Sequence, residues 1–112
     1  MMIVFTSQIL SLLSVSLLIL LRETNSATVT MLVKLGSTVD IHFGDNVKAV
    51  EAEKMIVKDD KLTDFAREKF GNRIKWYNGK MTIKNIRSSD LSTFFYHSYG
   101  KPMALSLEEE SV

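Results

Sequence analysis

In "TVDIHF" the apolar residues Val39, Ile41 and Phe43 alternate with Asp40 and His42, the period-two pattern of a strand that buries one face. Ahead of it, "TVTMLVKL" from Thr28 to Leu35 is rich in β-branched residues, and Gly36-Ser37 closes it as a turn. After Gly44-Asp45-Asn46 the pattern is open. "VKAVEAEKMIV" reads as a strand by its β-branched residues and as a helix by its Ala, Glu and Lys, while Leu62, Phe65, Ala66 and Phe70 recur at helical spacing. Strand signals return in "RIKWY" (Arg73 to Tyr77), followed by Asn78-Gly79, a hairpin turn in which both residues tolerate positive φ. "KMTIKNI" then turns Met81, Ile83 and Ile86 inward. "TFFYHSY" and "MALSL" supply two more strands around an expected turn at Gly100-Lys101-Pro102, since proline cannot donate to a central ladder. Short strands with frequent turns predict an all-β sandwich or barrel.

The first residues follow a different rule. From Met1 to Leu21 no side chain is charged, and a polar stretch follows with small residues at Ser26 and Ala27. That order fits a secretory signal peptide over residues 1–27, although Lys and Arg are missing from its start. The run is also long enough to cross a bilayer as an uncleaved anchor, for which about 20 apolar residues suffice. The expected division is a signal peptide or anchor at 1–27, one domain at 28–108 and an acidic tail at 109–112. Glu108 to Glu110 read as its frayed beginning.

Composition narrows the function. The chain has 112 residues and a formal net charge of +1, with 24% charged residues of mixed sign, so it carries no electrostatic footprint for nucleic acid. Membrane contact is expected only through an uncleaved N-terminal segment. There is no cysteine, which removes disulfides, thiolate metal sites and cysteine nucleophiles and leaves packing to hold the domain. His42 and His97 alternate with apolar residues and read as surface residues on separate strands, not as metal ligands. Ser88-Ser89-Asp90 has no neighbouring histidine to activate a serine, and reads as a corner capped by backbone hydrogen bonds. "KDDK" and "AREK" read as solvated loop charge. No phosphate loop, HExxH or paired-carboxylate motif occurs, and no N-x-[ST] sequon is present. No cofactor and no enzymatic activity are expected.

"NGKMTIKNIRSSDLSTFFYH" resembles the E strand, E–F corner and F strand of a variable-type immunoglobulin domain, whose pattern is L-x-I-x-x-[LIV], a polar link, then D-x-G-x-Y-x-C. On that resemblance Asp90 is the corner acid, Ser92 takes the glycine position, Phe94 the tyrosine position and Tyr96 the second cysteine position. "GSTVDIHF" is similar to the B strand, with Phe43 in the first cysteine position. The likeness is to the N-terminal domains of the lymphocyte adhesion and signalling-lymphocyte receptor family, some of which lack the disulfide. It implies an immunoglobulin-like sandwich whose missing cystine is replaced by the rings of Phe43 and Tyr96. By area burial at ~25 cal/mol per Å², that pair is worth several kcal/mol, comparable with the ~2–4 kcal/mol of a disulfide.

The resemblance also implies a salt bridge from Arg73 or Lys69 to Asp90. Spacing puts Ala52 at the family's core tryptophan and leaves Trp76 in strand D. The implied function is protein recognition or adhesion through the outer face of strands G, F and C, with a protein partner that includes a second copy of the chain. Phe95, His97, Tyr99 and Lys101 are its expected contact residues, unless the middle segment covers Phe95. Location is then extracellular. The competing expectation is a small secreted polypeptide, structural or lytic, built around an amphipathic helix in the middle segment.

Overall fold

A computed structural model describes residues 27–111. The signal or anchor segment falls on residues outside that range, apart from Ala27. In chain order the described elements are β1 (Ala27–Val33), β2 (Val39–His42), β3 (Val50–Ala52), β4 (Lys54–Lys58), β5 (Lys61–Leu62), α1 (Asp64–Phe70), β6 (Ile74–Tyr77), β7 (Lys80–Ile83), β8 (Thr93–Ser98) and β9 (Lys101–Glu109). They form a six-stranded sheet in the order β1-β9-β8-β3-β4-β5 and a three-stranded sheet in the order β2-β7-β6. That is the variable-type immunoglobulin arrangement, with the C′ and C″ strands added beside G, F and C and a separate B-E-D sheet. All pairings are antiparallel except β1, which runs parallel to β9.

The core lies between the sheets. Ile41 of β2, Met81 and Ile83 of β7, Val50 of β3 and Phe94 of β8 are all fully buried, as the period-two alternation of their strands requires, and a register shift between β3 and β4 lets the adjacent Ile56 and Val57 of β4 both be buried. Ile86 is buried beyond the end of β7, where its N–H donates to Ser37 O and its carbonyl accepts from Gly36 N. The polar link after β7 therefore closes on the turn that follows β1.

The middle segment divides between its two sequence readings. Residues 50–62 are three short strands, with Asp59 and Asp60 both at positive φ in the β4–β5 hairpin. Within residues 50–70 only Asp64–Phe70 is helical. Thr63 caps α1, its hydroxyl accepting from Ala66 N and donating to Met55 O, and Ala66 and Phe70 face the core. A single amphipathic helix through the whole segment is thereby excluded. Strand pairing with β8 and β4 overrides the helical propensity of Ala, Glu and Lys in residues 51–54.

Three local expectations also change. "KDDK" is a hairpin rather than a plain loop, since Asp60 accepts from Trp76 Nε1 at 2.7 Å, and "AREK" lies on α1. The turn before the last strand is Tyr99-Gly100, while Lys101 and Pro102 already belong to β9. Proline is tolerated there because, among the described residues, β1 pairs with β9 only from Met103 onward, which leaves Pro102 with β8 as its one neighbouring strand. Finally, β9 runs through Glu109, and Glu110 N donates to Val33 O at 2.8 Å. The acidic residues at 108–110 continue the ladder instead of fraying at Glu108.

Candidate recognition face

Strand register determines which side chains share the outer face of the large sheet. Phe95 on β8 lies opposite Ala104 on β9 and Glu51 on β3, and Glu51 lies opposite Met55 on β4. The next row pairs His97 with Pro102, and Thr93 and Ser106 close the row below with a 2.8 Å hydroxyl–hydroxyl hydrogen bond. Phe95 is 54% exposed, so neither α1 nor the short strands cover it. A depression of roughly 280 Å³ opens beside it, lined by residues 49–51 with Met55, His97, Pro102 and Met103.

The β8–β9 hairpin places the other two expected contact residues differently. Tyr99 is 82% exposed at its tip and adopts φ 51, followed by Gly100 at φ 80. Two successive positive φ values make the tight hairpin whose twist matches its strands, but they favour Asn, Asp or Gly over an aromatic. Lys101 pairs with Ser98, on the side of the sheet shared by Tyr96 and Met103. It is exposed at the end of the sandwich rather than on the Phe95 face. Conversely, Glu51, Met55, Ala104 and Pro102 belong to this face and were not anticipated. Only the alternation of β3 could have signalled Glu51, and its helix-favouring composition obscured it, while the register shift between β3 and β4 leaves Met55 without a local signal.

Directly beneath the face, Phe43 and Tyr96 meet edge-on with ring centroids 4.7 Å apart and planes at 76°. Phe94 packs on Phe43 at 6.2 Å and Trp76 at 6.0 Å. Edge-to-face geometry sets the positive edge of one ring against the negative face of the other, worth about 0.5–1.5 kcal/mol per pair beyond the area buried. Trp76 reaches this cluster from β6, in the sheet opposite β3, while Ala52 of β3 is buried. Its indole N–H then extends to Asp60 in the β4–β5 hairpin, so one side chain ties both sheets together. Burial pushes the Tyr96 hydroxyl above its ordinary value.

At the opposite end of the sandwich, the corner acid is Asp90, only 1% exposed. Arg73 grips it with two hydrogen bonds, Nη1 to Oδ2 at 2.8 Å and Nη2 to Oδ1 at 3.2 Å, and also donates to the carbonyls of Lys84 and Asn85. The backbone N–H of Arg87 donates to Asp90 Oδ2 at 2.8 Å, which closes the 3-10 turn over Ser88–Asp90. Lys69 instead pairs with Glu53 at 3.8 Å. Burial by itself would raise the Asp90 carboxyl, but the hydrogen bonds from Arg73 and from the Arg87 backbone, with the two cationic charges, outweigh it. They hold the carboxyl below its ordinary range.

The two histidines sit on different sheets, His42 on β2 and His97 on β8, both exposed. Among the described residues no group of three or more metal-ligating side chains converges.

No family model and no curated protein sequence matches the chain. Solved structures do. The crystal structure of the CD2-binding domain of CD58, lymphocyte function-associated antigen 3, superposes with a TM-score of 0.51 at 21% identity, over 75% of this chain and 53% of that one. The present chain thus spans about half the length of that neighbour. The first immunoglobulin domain of the mouse polymeric immunoglobulin receptor aligns over 80% of this chain and 92% of its own, with a TM-score of 0.48 and 12% identity. The strand order, the position of the corner acid and the superposition on the first of these structures agree. The chain is an immunoglobulin-like sandwich of variable-type topology built without an inter-sheet disulfide.

Proposed function

We propose that this is a non-enzymatic, exported recognition domain that binds a protein partner through the outer face of β9, β8 and β3. The observation that carries the reading is the exposed Phe95, set in a row between Ala104 and Glu51 beside an apolar depression. A large exposed aromatic ringed by polar groups is how small interfaces concentrate their energy. Tyr99, held at a positive φ that its side chain disfavours, adds support, because residues in costly conformations cluster at functional positions. The likeness to a domain described as CD2-binding supports protein recognition as the class of activity. Export follows from the uncharged stretch at residues 1–21 and the small residues Ser26 and Ala27.

The test expresses the full chain in secreting cells and uses the protein recovered from the medium. Wild type is compared with a Phe95→Ser, Tyr99→Ser variant by pull-down from cell-surface extracts. The double variant should fold normally and lose at least tenfold in partner capture. Retention of every partner would remove this face from consideration, and recovery of the protein only in the membrane fraction would overturn secretion.

A further inference from the structure

The two sheets end in four edge strands, and they are not protected alike. In the large sheet the edges are β1 and β5, and in the small sheet β2 and β6. β5 has only two residues and carries Lys61. β2 exposes Asp40 and His42, and β6 exposes Lys75. Short length and outward charge are the usual means by which a sheet edge avoids pairing with another chain.

β1 has none of these. It is seven residues long, "ATVTMLV", with no charged side chain and no proline, and it follows β9 in unbroken register from Ala27 to Val33. Among the described residues no strand lies on its outer side. Val29 is 48% exposed and Leu32 61%. Its sequence is also self-complementary. An antiparallel copy centred on Thr30 sets Val29 against Met31 on the core side and Thr28 against Leu32 on the outer side. Apolar and β-branched residues thus meet their own kind, and no like charges meet.

We infer that β1 is an interface with a second copy of this chain, the two β1 strands pairing antiparallel about a two-fold axis through Thr30. The occupant is a second copy because the strand has no charged side chain that another partner would be needed to balance, and because the pairing closes on itself. The pairing joins two large sheets into one and places both Phe95 faces on the same side. Such a dimer would present two recognition faces to one surface, raising avidity without a new contact. The inference does not depend on what those faces bind. With one strand pair as its centre the interface lies below about 1,200 Å², the weak class, so the dimer is expected to dissociate on dilution.

The experiment is sedimentation velocity on protein secreted from cells expressing the full chain, over a hundredfold concentration range. Wild type should pass from monomer to dimer. Thr30→Lys and Thr30→Glu, at an exposed position, should each shift the dimerisation midpoint at least tenfold upward with unchanged circular dichroism. An equimolar mixture of the two should restore the dimer, because opposite charges then face each other at the centre. If Thr30 substitutions disturb the fold, Thr28→Lys mixed with Leu32→Glu tests the same register. The Phe95→Ser, Tyr99→Ser variant should dimerise as wild type does. The interface is overturned if wild type stays monomeric, if it forms species larger than dimers, if the charged variants dimerise unchanged, if the mixture fails to restore the dimer, or if the Phe95 variant alone abolishes it.

Discussion

Two hairpins of this molecule share one backbone geometry and differ in everything attached to it. Asn78-Gly79 between β6 and β7 has φ values of 51 and 78, and Tyr99-Gly100 between β8 and β9 has 51 and 80. The first uses asparagine, which tolerates the left-handed region, and packs inward. Gly79 O accepts from both Phe43 N at 2.9 Å and Gly44 N at 3.2 Å, and a Cβ at Gly79 would lie 1.8 Å from Gly44 O. The second uses tyrosine, which does not favour that region, and projects into solvent with nothing within 4 Å of a Cβ at Gly100. One turn is shaped by the needs of the fold. The other places in the same left-handed conformation an aromatic residue that the turn itself does not favour, which is the physical basis for treating it as part of a binding surface.

The sharpest way to break this contrast is Gly79→Ala. Overpacking against Gly44 and the left-handed backbone together should cost about 4–5 kcal/mol, whereas Gly100→Ala should cost only about 1 kcal/mol. Equal losses in denaturant unfolding would show that the two turns are equivalent. Next in size is Phe43→Ala, which removes the ring at the centre of the aromatic cluster just under the first hairpin. It should destabilise the domain by about 3–5 kcal/mol in urea melts, and a loss below 1 kcal/mol would mean that the rings do not replace a cystine.

The far end of the sandwich provides a control that neither hairpin touches. Because the folded Asp90 carboxyl titrates below its ordinary value of 3.8, its contribution is complete above that value and is lost as pH falls toward the folded value. Wild-type stability should therefore drop below about pH 4. Asp90→Asn should cost about 3 kcal/mol at neutral pH, by leaving Arg73 without its counter-charge. It should also flatten the acid limb, and a variant with an unchanged acid limb would reject the assignment. The smallest effect is the most discriminating. Tyr99→Asn should leave stability unchanged or raise it by about 0.5–1 kcal/mol, by relieving the left-handed strain, while weakening partner capture. Loss of stability would show instead that the Tyr99 ring is part of the packing.

Much of this architecture was legible in the chain, for a common reason. Asn78-Gly79, the alternation of Val39, Ile41 and Phe43, and the run from Met81 to Tyr96 are local patterns. Each depends on the period of a strand or the dihedral tolerance of one residue, and each yields a strand or turn where it was expected. The pattern of the E–F corner was sufficient to place Asp90 at a turn. At residues 50–70 the pattern left strand and helix open, and pairing with β8 and β4 decided for strands up to Leu62, while the helical spacing of Phe65, Ala66 and Phe70 is realised only in α1. The pattern failed at Pro102, since whether a residue lies on an edge depends on how far a neighbouring strand extends.

The recognition face shows the same division. Sequence alternation was enough to turn Phe95 and His97 outward together, but Lys101 was placed with them on proximity in the chain. Register puts it opposite Ser98, on the other side of the sheet. Glu51 and Met55 join Phe95 from strands distant in sequence.

By itself, then, the sequence determined the period of each strand, the turns that Gly and Asn permit, and the need to hold the sandwich without a disulfide. Those properties reside in single residues and their immediate neighbours. The tertiary structure alone decided that Arg73 rather than Lys69 grips Asp90, that Trp76 enters the aromatic cluster from the opposite sheet, and that β1 lies at the edge of the large sheet among the described residues. Each of these depends on a contact between residues far apart in the chain, and packing selects among such contacts only once the two sheets have closed on one core.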